Sequence, residues 1–366
     1  MAAHPRSFLT VTRLVGDGVT DTPDSDGVLK EGVEALQAML LEGVFAPVGC
    51  DVVFVYRLTQ AGHSQLGVVA ALDIDDFTSG AVRTHEDVVP ERARHLAKHF
   101  AEARGQSSPI VLGHPPDPGL RALLRDIAEQ RQPDREVQAP DGLHQSVWIV
   151  SDSDHIASIQ SALQNRPAYV IDGHHRVAAS IEYRATEPGE ASATTLTALF
   201  PTDELQIREY NRWVKDLGPV DAATLVASVS QTCTVECLGT EAAKPRAHGT
   251  VSMYADGQWY RVTFPGAEAS ESPLDVLDPV RLDRVILGPV FGIREGETSG
   301  RVAFVTASRS LSDIARDVDL WGGVAFALHP IAIDSVIAVA DAGAHMPPKS
   351  TFFEPKARSG LFLRSS

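Results

Sequence analysis

One short stretch concentrates the chemistry of this chain. Val170-Ile171 leads into Asp172-Gly173-His174-His175-Arg176, an acid, a glycine, two imidazoles and a guanidinium between an apolar run and a helical run. The first turn of a helix carries N–H groups without intrahelical partners and the positive end of the helix dipole. A phosphate or carboxylate binds such a terminus readily. Gly173 lets the backbone approach a ligand closely, Arg176 offers a bidentate grip, and a histidine can donate to a phosphate oxygen or shuttle a proton. The same residues also suit an Asp N-cap with two histidines satisfied by backbone. The residues by themselves leave both readings open.

Three further clusters could do chemistry. Arg83-Thr84-His85-Glu86-Asp87 precedes a helix start at Pro90, with Glu86 as a candidate base and His85 as its partner, or with both acids simply complementing the helix dipole. Met346-Pro347-Pro348-Lys349-Ser350-Thr351 is a proline-stiffened loop offering one ammonium and two hydroxyls, suited to an anion or to nothing beyond a polar surface. Glu91, His95, His99 and Glu102 share three- and four-residue spacing on one helix. A metal could use them, but a solvated flank is the plainer expectation.

Several signatures are missing: a phosphate loop of the Gly-Lys-Ser/Thr type, a dinucleotide Gly-x-Gly-x-x-Gly, a nucleophile elbow and His-Glu-x-x-His. Cys50, Cys233 and Cys237 give no disulfide framework and no four-ligand zinc pattern. Alternation around Thr232 to Cys237 predicts a strand with both cysteines buried on one face.

Interleaved strands and helices must position these residues. Alternation predicts strands at Phe8–Arg13, in a hairpin of Asp51–Leu58 with Gln65–Leu72, and at Ser108–Leu112, Gln145–Val150, Ala168–Ile171 and Thr194–Phe200. Helical spacing marks Val28–Leu41, Pro90–Arg104, Leu120–Gln130, Ile156–Leu163 and Arg176–Arg184. Residues 16–27 and Thr186–Ala193 are expected to be loops. The remainder alternates strands at Thr250–Tyr254, Trp259–Phe264, Arg301–Val305 and Val324–Leu328 with helices at Pro279–Leu287, Ser310–Val318 and Ile333–Ala342. The class is mixed α/β (α+β). The expected lobes are residues 1–205, carrying His85-Glu86 and Asp172–Arg176, and residues 206–366, carrying Lys349–Thr351.

Composition narrows the partners. The 366 residues are 43% hydrophobic and 22% charged, ordinary for a globular chain, and 32 Lys plus Arg against 48 Asp plus Glu give a net charge of −16. That surplus of acid opposes nucleic-acid binding, which needs cation at the phosphates, while leaving room for a local basic pocket. No apolar run reaches the ~18 residues of a membrane span, and the start lacks a signal-peptide core, so a soluble cytoplasmic enzyme is expected.

Taken together the clusters resemble the domain-of-unknown-function family 1015, often labelled ParB-like. The matching pieces are His85-Glu86, Tyr169-Val170-Ile171-Asp172-Gly173-His174-His175-Arg176 and Met346-Pro347-Pro348-Lys349-Ser350-Thr351. Leu205-Gln206-Ile207, Tyr210-Asn211-Arg212, Lys215-Asp216-Leu217, Phe326-Ala327-Leu328-His329-Pro330 and the tail Phe352-Phe353-Glu354-Pro355-Lys356 with Ser359-Gly360-Leu361 also match. The chain departs from the family in lacking a Pro-Pro-Tyr-Asp-Val segment and in continuing after Arg176 with Val177-Ala178-Ala179-Ser180.

The resemblance implies a ParB/sulfiredoxin-like core with additional α+β elements. It also implies kinship with free serine kinases, which carry a similar Asp-Gly-His-His-Arg at a nucleotide-phosphate site. On that basis Asp172, Gly173, His174, His175 and Arg176 hold phosphates, Lys349, Ser350 and Thr351 form a second wall, and Asp172 meets Mg2+. Glu86 acts as base, with His85, His174 and His175 assisting. The implied function is a nucleotide-dependent kinase using ATP or ADP with Mg2+ on a small hydroxylated metabolite, such as free L-serine. The alternatives are a CTP- or ATP-binding regulator and a metal-dependent phosphatase.

Overall fold

The computed structural model describes residues 8, 10–12, 25–218, 220–266, 272–294 and 300–365. The chain divides into two compact units: residues 1–84, 88–205 and 355–366 in the first, and residues 85–87 and 206–354 in the second.

The first unit is built on an eight-stranded mixed sheet. Its order is Val82–Arg83, Ala168–Asp172, Ile110–His114, Thr194–Pro201, His63–Asp73, Val53–Gln60, His144–Val150, Arg135–Gln138. The hairpin expected around Gln60 forms, with Gln60 opposite His63. Two pairings are parallel, Val82–Arg83 with the Ala168 strand and Ile110–His114 with Thr194–Pro201. Helices cover the sheet by burying stripes at three- and four-residue spacing. Leu120, Leu124 and Ile127 of Pro118–Gln130 join Ile159 of Ser153–Leu163 over Val53, Val55, Val68 and Trp148. Asp117 caps the first of these helices, accepting the Leu120 N–H at 2.7 Å. The helix Pro90–Ala103 starts on its proline and packs Leu96, Ala97 and Phe100 on Ala179 and Tyr183 of the helix His174–Thr186.

The second unit is a six-stranded antiparallel sheet, ordered Thr234–Gly239, Gln258–Thr263, Thr250–Ala255, Val324–Ala327, Tyr210–Val214, Val302–Thr306. Strand alternation sends Val251 and Met253 into one cluster with Leu225, Leu282 and Ile286. It sends Tyr254 into the other, with Ile314 and Val318 of the helix Leu311–Trp321. The class is therefore mixed α/β, with helices packed on a large mixed sheet and on a smaller antiparallel one.

Several expectations are corrected. The described residues among Phe8–Arg13 form turns, Leu9 and Arg13 lying outside the described residues, as does most of 16–27. The Ile110 strand starts two residues later than its alternation suggested, and Thr186–Ala193 contains a short helix, Glu190–Ala193. Cys233 is buried but Cys237 is exposed, because Thr234–Gly239 is an edge strand. The tail returns to the first unit: Phe362 packs on Phe54 and Tyr56, and Arg364-Ser365 pairs with Gly105-Gln106. Short edge pairings such as Arg135–Gln138 carry too few residues for a periodic signal. No helix among the described residues is long and apolar enough to cross a membrane.

His99 also departs from the solvated flank expected of it. It is buried, its Nδ1 makes no hydrogen bond, and burial pushes its imidazole down to about 4 from the ordinary 6.5. Between those values the unfolded chain holds the extra proton, so stability falls as pH drops from 6.5 to about 4 and no further on this account. The loss expected from this one group is about 3 kcal/mol. Denaturant unfolding across that window should show it, and His99→Leu should flatten it; parallel curves for the two proteins would rule the assignment out.

Candidate functional site

The strand Ala168–Asp172 is apolar until its last residue, and its neighbours hold it on both sides. Val170 is fully buried, so the strand end is anchored where Asp172 emerges opposite Val111. Gly173 then turns the chain with φ of 108°, a backbone that L side chains rarely adopt, and the helix His174–Thr186 begins. A Cβ on Gly173 would lie 2.8–2.9 Å from the Arg176 guanidinium. The glycine therefore serves the turn and also leaves room for Arg176 to fold back over it.

Arg176 uses that room to face inward. Its guanidinium donates to the Asp172 carboxylate and to the Pro109 carbonyl, and its side chain is only 14% exposed. The bidentate grip expected for a ligand is spent on bracing the strand exit. The other Asp172 oxygen accepts from Lys356 Nζ at 2.7 Å, and Lys356 keeps 35% exposure. Burial alone would raise the Asp172 pKa, but Arg176 and Lys356 together hold it well below the usual carboxylate range. The helix start has no side-chain cap, so its first N–H groups and dipole stand beside a carboxylate already neutralised by two cations. Such an arrangement attracts an anion rather than repelling it.

The histidines divide their roles. His174 is buried at the first helical position. His175 Nε2 accepts the Val89 N–H at 3.2 Å, pinning the start of the Pro90 helix to the His174 helix.

The other expected residues assemble in the second unit. Met346 N–H donates to the His85 carbonyl at 2.8 Å, and Glu86 bridges Met346 in parallel. His345 Nδ1 meets Asp87 Oδ1 at 2.5 Å. Met346 is buried with Val280, Val336 and Val339, which fixes the start of the following loop. His85 is itself buried. Lys349 adopts a left-handed backbone with φ of 57°, and its ammonium lies 5.9 Å from the Tyr210 ring centroid. Ser350 is buried and donates its hydroxyl to the Pro347 carbonyl at 2.7 Å, while Thr351 is half-buried. His85-Glu86 and the Met346–Thr351 loop are thus brought together, and Asp172–Arg176 belongs to the other unit.

In the sequence Lys356 stands only as part of the C-terminal tail. The sequence signal was its place in Glu354-Pro355-Lys356, but nothing local ties residue 356 to residue 172. No group of three or more His, Cys, Asp or Glu among the described residues, the Glu91–Glu102 face included, could hold a metal. Asp172 accepts from both Arg176 and Lys356.

The sequence profile of the family described as "Protein of unknown function (DUF1015)" matches residues 1–283. No curated protein matches the sequence. Solved structures to which the chain is similar include a free serine kinase in complex with AMP, at 12% identity, covering 78% of this chain and 86% of that one, with a TM-score of 0.40. Another is a point mutant of a free serine kinase in complex with ADP, at 13% identity, 78% and 87% coverage and a TM-score of 0.39. SbnI with a C-terminal truncation, from Staphylococcus aureus, is similar at 12% identity, 80% and 85% coverage and a TM-score of 0.41. Likenesses at these scores carry no argument about activity.

Two outcomes follow for the Asp172 clamp. Gly173→Ala should cost about 1–3 kcal/mol in denaturant unfolding, from the left-handed backbone and the displaced guanidinium. Asp172→Asn should destabilise the chain near neutral pH. Because the folded carboxyl titrates lower than the unfolded one, the ion pairs contribute above the unfolded value of ~3.9 and are lost as pH falls through the lowered folded value. The wild type's advantage should therefore vanish only in strong acid; an advantage gone by pH ~5 would contradict the clamp.

Proposed function

The chain belongs to the DUF1015 family of proteins of unknown function, and we propose that it is a nucleotide-dependent phosphotransferase acting on the hydroxyl of a small metabolite. The observation that carries this reading is the Asp172 carboxylate held between Arg176 and Lys356 at an uncapped helix start. Phosphoryl transfer asks a protein mainly for positioning and neutralisation of phosphate charge. The N–H groups from His174 onward and the Lys356 ammonium would meet the phosphates, and Gly173 would let them approach. Asp172 and Arg176 would act as positioning residues that hold Lys356 and the turn. The similarity of Asp-Gly-His-His-Arg to the segment of free serine kinases narrows the anion to a nucleotide phosphate, and a ParB/sulfiredoxin-like ancestry is part of the same proposal.

In the reaction the acceptor oxygen forms a bond to the terminal phosphorus of ATP or ADP. The bridging P–O bond breaks, the nucleotide leaves with one phosphate fewer, and a general base takes the hydroxyl proton, a role for which the family resemblance names Glu86. His85 and the Lys349–Thr351 loop lie with Glu86 in the second unit. Magnesium enters as part of the nucleotide substrate, and no step needs a protein-held ion.

Calorimetric titration with ATP, ADP and CTP, followed by assay of nucleotide cleavage with Mg2+ and a panel of hydroxylated metabolites, tests this reading. Saturable binding and acceptor-dependent ADP or AMP release are expected. Lys356→Met should weaken nucleotide binding roughly tenfold or more, the size of one lost charge-assisted contact. Glu86→Ala should keep binding and lose turnover. Binding without acceptor-dependent turnover would select the regulatory alternative, and phosphate release from a phosphoester without nucleotide the phosphatase.

A further inference from the structure

Between Pro355 and Leu363 the chain forms neither helix nor strand, yet it crosses the first unit from Asp172 to the strand Gly105–Gln106. Three kinds of contact seat it. Charged side chains reach out: Lys356 to Asp172, Arg358 to Asp141, and Arg364 Nη1 to the Ala191 carbonyl at 2.8 Å. Backbone holds at Gly360, whose N–H donates to the Ser107 carbonyl, and at Arg364-Ser365 against Gly105-Gln106. Phe362 is the apolar anchor, its ring centroid 5.2 Å from that of Phe54 and 5.1 Å from that of Tyr56, with Leu363 packed on the cluster of Leu29, Leu36 and Met39.

This seat is weak for its length. No residue from Lys356 to Leu361 is buried. Arg358 and Asp141 are 46% and 47% exposed, and ion pairs so open to water contribute little. Beneath Pro355 the fit is poor: Gln65 Nε2 donates to its carbonyl at 3.4 Å, and the buried Gln65 Oε1 makes no hydrogen bond. A buried acceptor without a partner opposes docking, because release lets water meet it. Segments with few buried apolar contacts open locally, well below the free energy of global unfolding.

Release changes the charge at the candidate site. Docked, two cations face the Asp172 carboxylate. Released, Arg176 alone remains, and the pair has no positive charge to spare for an anion at the helix start. We propose that residues 355–365 are a detachable strap whose docking switches on the anion site, with Phe362 as the latch. Phe362 acts on the site through Lys356, as a positioning residue. The strap stands on its own contacts; its link to a nucleotide rests on the phosphotransferase reading.

Hydrogen exchange of the full chain tests the strap without a ligand. Protection of the Gly360 amide should be at least roughly tenfold lower than that of Leu112 and Val170 in the sheet. Phe362→Ala should lower it further and leave the sheet unchanged. Calorimetric titration with ADP tests the link. Phe362→Ala should weaken ADP roughly tenfold, as for a strap docked about one tenth of the time, and Phe362→Leu less. Added to Lys356→Met it should cost nothing more, whereas independent residues would add. Reciprocally, ADP should slow exchange at Gly360 in the wild type. A staple supplies the rescue. Ser108 Oγ and Ser359 Oγ lie 2.5 Å apart, so Ser108→Cys with Ser359→Cys can bridge, in a background where the exposed Cys50 and Cys237 are replaced by serine. The oxidised staple should restore ADP affinity to Phe362→Ala, and dithiothreitol should remove the rescue. Should Phe362→Ala fail to fold, the exposed Arg358→Gln keeps the test open through a smaller loss that the same staple repairs. Gly360 protection equal to that of the sheet, additive losses, or an oxidised staple without rescue would each overturn the proposal. A wild type that binds no ADP sinks the phosphotransferase reading, and exchange at Gly360 then decides the strap by itself.

Discussion

The Asp172 carboxylate is the constraint on which the candidate site depends. A carboxylate at a half-buried strand end is costly without counter-charge. Arg176 and Lys356 supply it, one four residues later and one from the C-terminal tail. The clamp joins strand exit, helix start and tail, and it explains the glycine between them. With a side chain at position 173 the guanidinium could not fold back over the turn. The clamp also sets the electrostatics of the helix start, since a bare carboxylate there would cancel the dipole that favours an anion.

The tail contributes well beyond Lys356. Gln65 Nε2 donates to the Pro355 carbonyl at 3.4 Å, Arg358 pairs with Asp141, and Gly360 N–H meets the Ser107 carbonyl at 2.9 Å. Phe362 fills a gap between Phe54 and Tyr56. These contacts close a long loop of chain that carries the second unit's sequence, an entropic cost offset by burial of the aromatic ring and by the edge pairing at Arg364. Lys356 is thereby held in place by its neighbours as well as by Asp172.

Much of the architecture was legible because it rests on local periodicity. The Pro90 and Pro118 helices announce themselves by a proline at the start and a 3.6-residue apolar stripe, and the hairpin at Gln60 by alternation on either side of Ala-Gly. The elements that escaped are short edge strands, the π-turn at Asp283 and the Glu190–Ala193 helix. Their residues are held by neighbours distant in sequence. His99 failed for a related reason: its helical spacing was legible, but spacing does not tell which side of a polar flank a neighbouring helix covers.

The sequence by itself determined the residue types at the strand exit, the glycine needed there, and the mixed α/β class, because each is a property of neighbours in the chain. It also determined the family through motifs spread along the chain. Only the tertiary structure decided what those residues face. It turned Arg176 inward to Asp172, tied His175 to Val89, spent the Ser350 hydroxyl on Pro347, and brought Lys356 into view. The physical reason is the same in each case: a polar group leaving water must find a partner, and which partner lies nearest is set by packing across the fold rather than by position in the sequence.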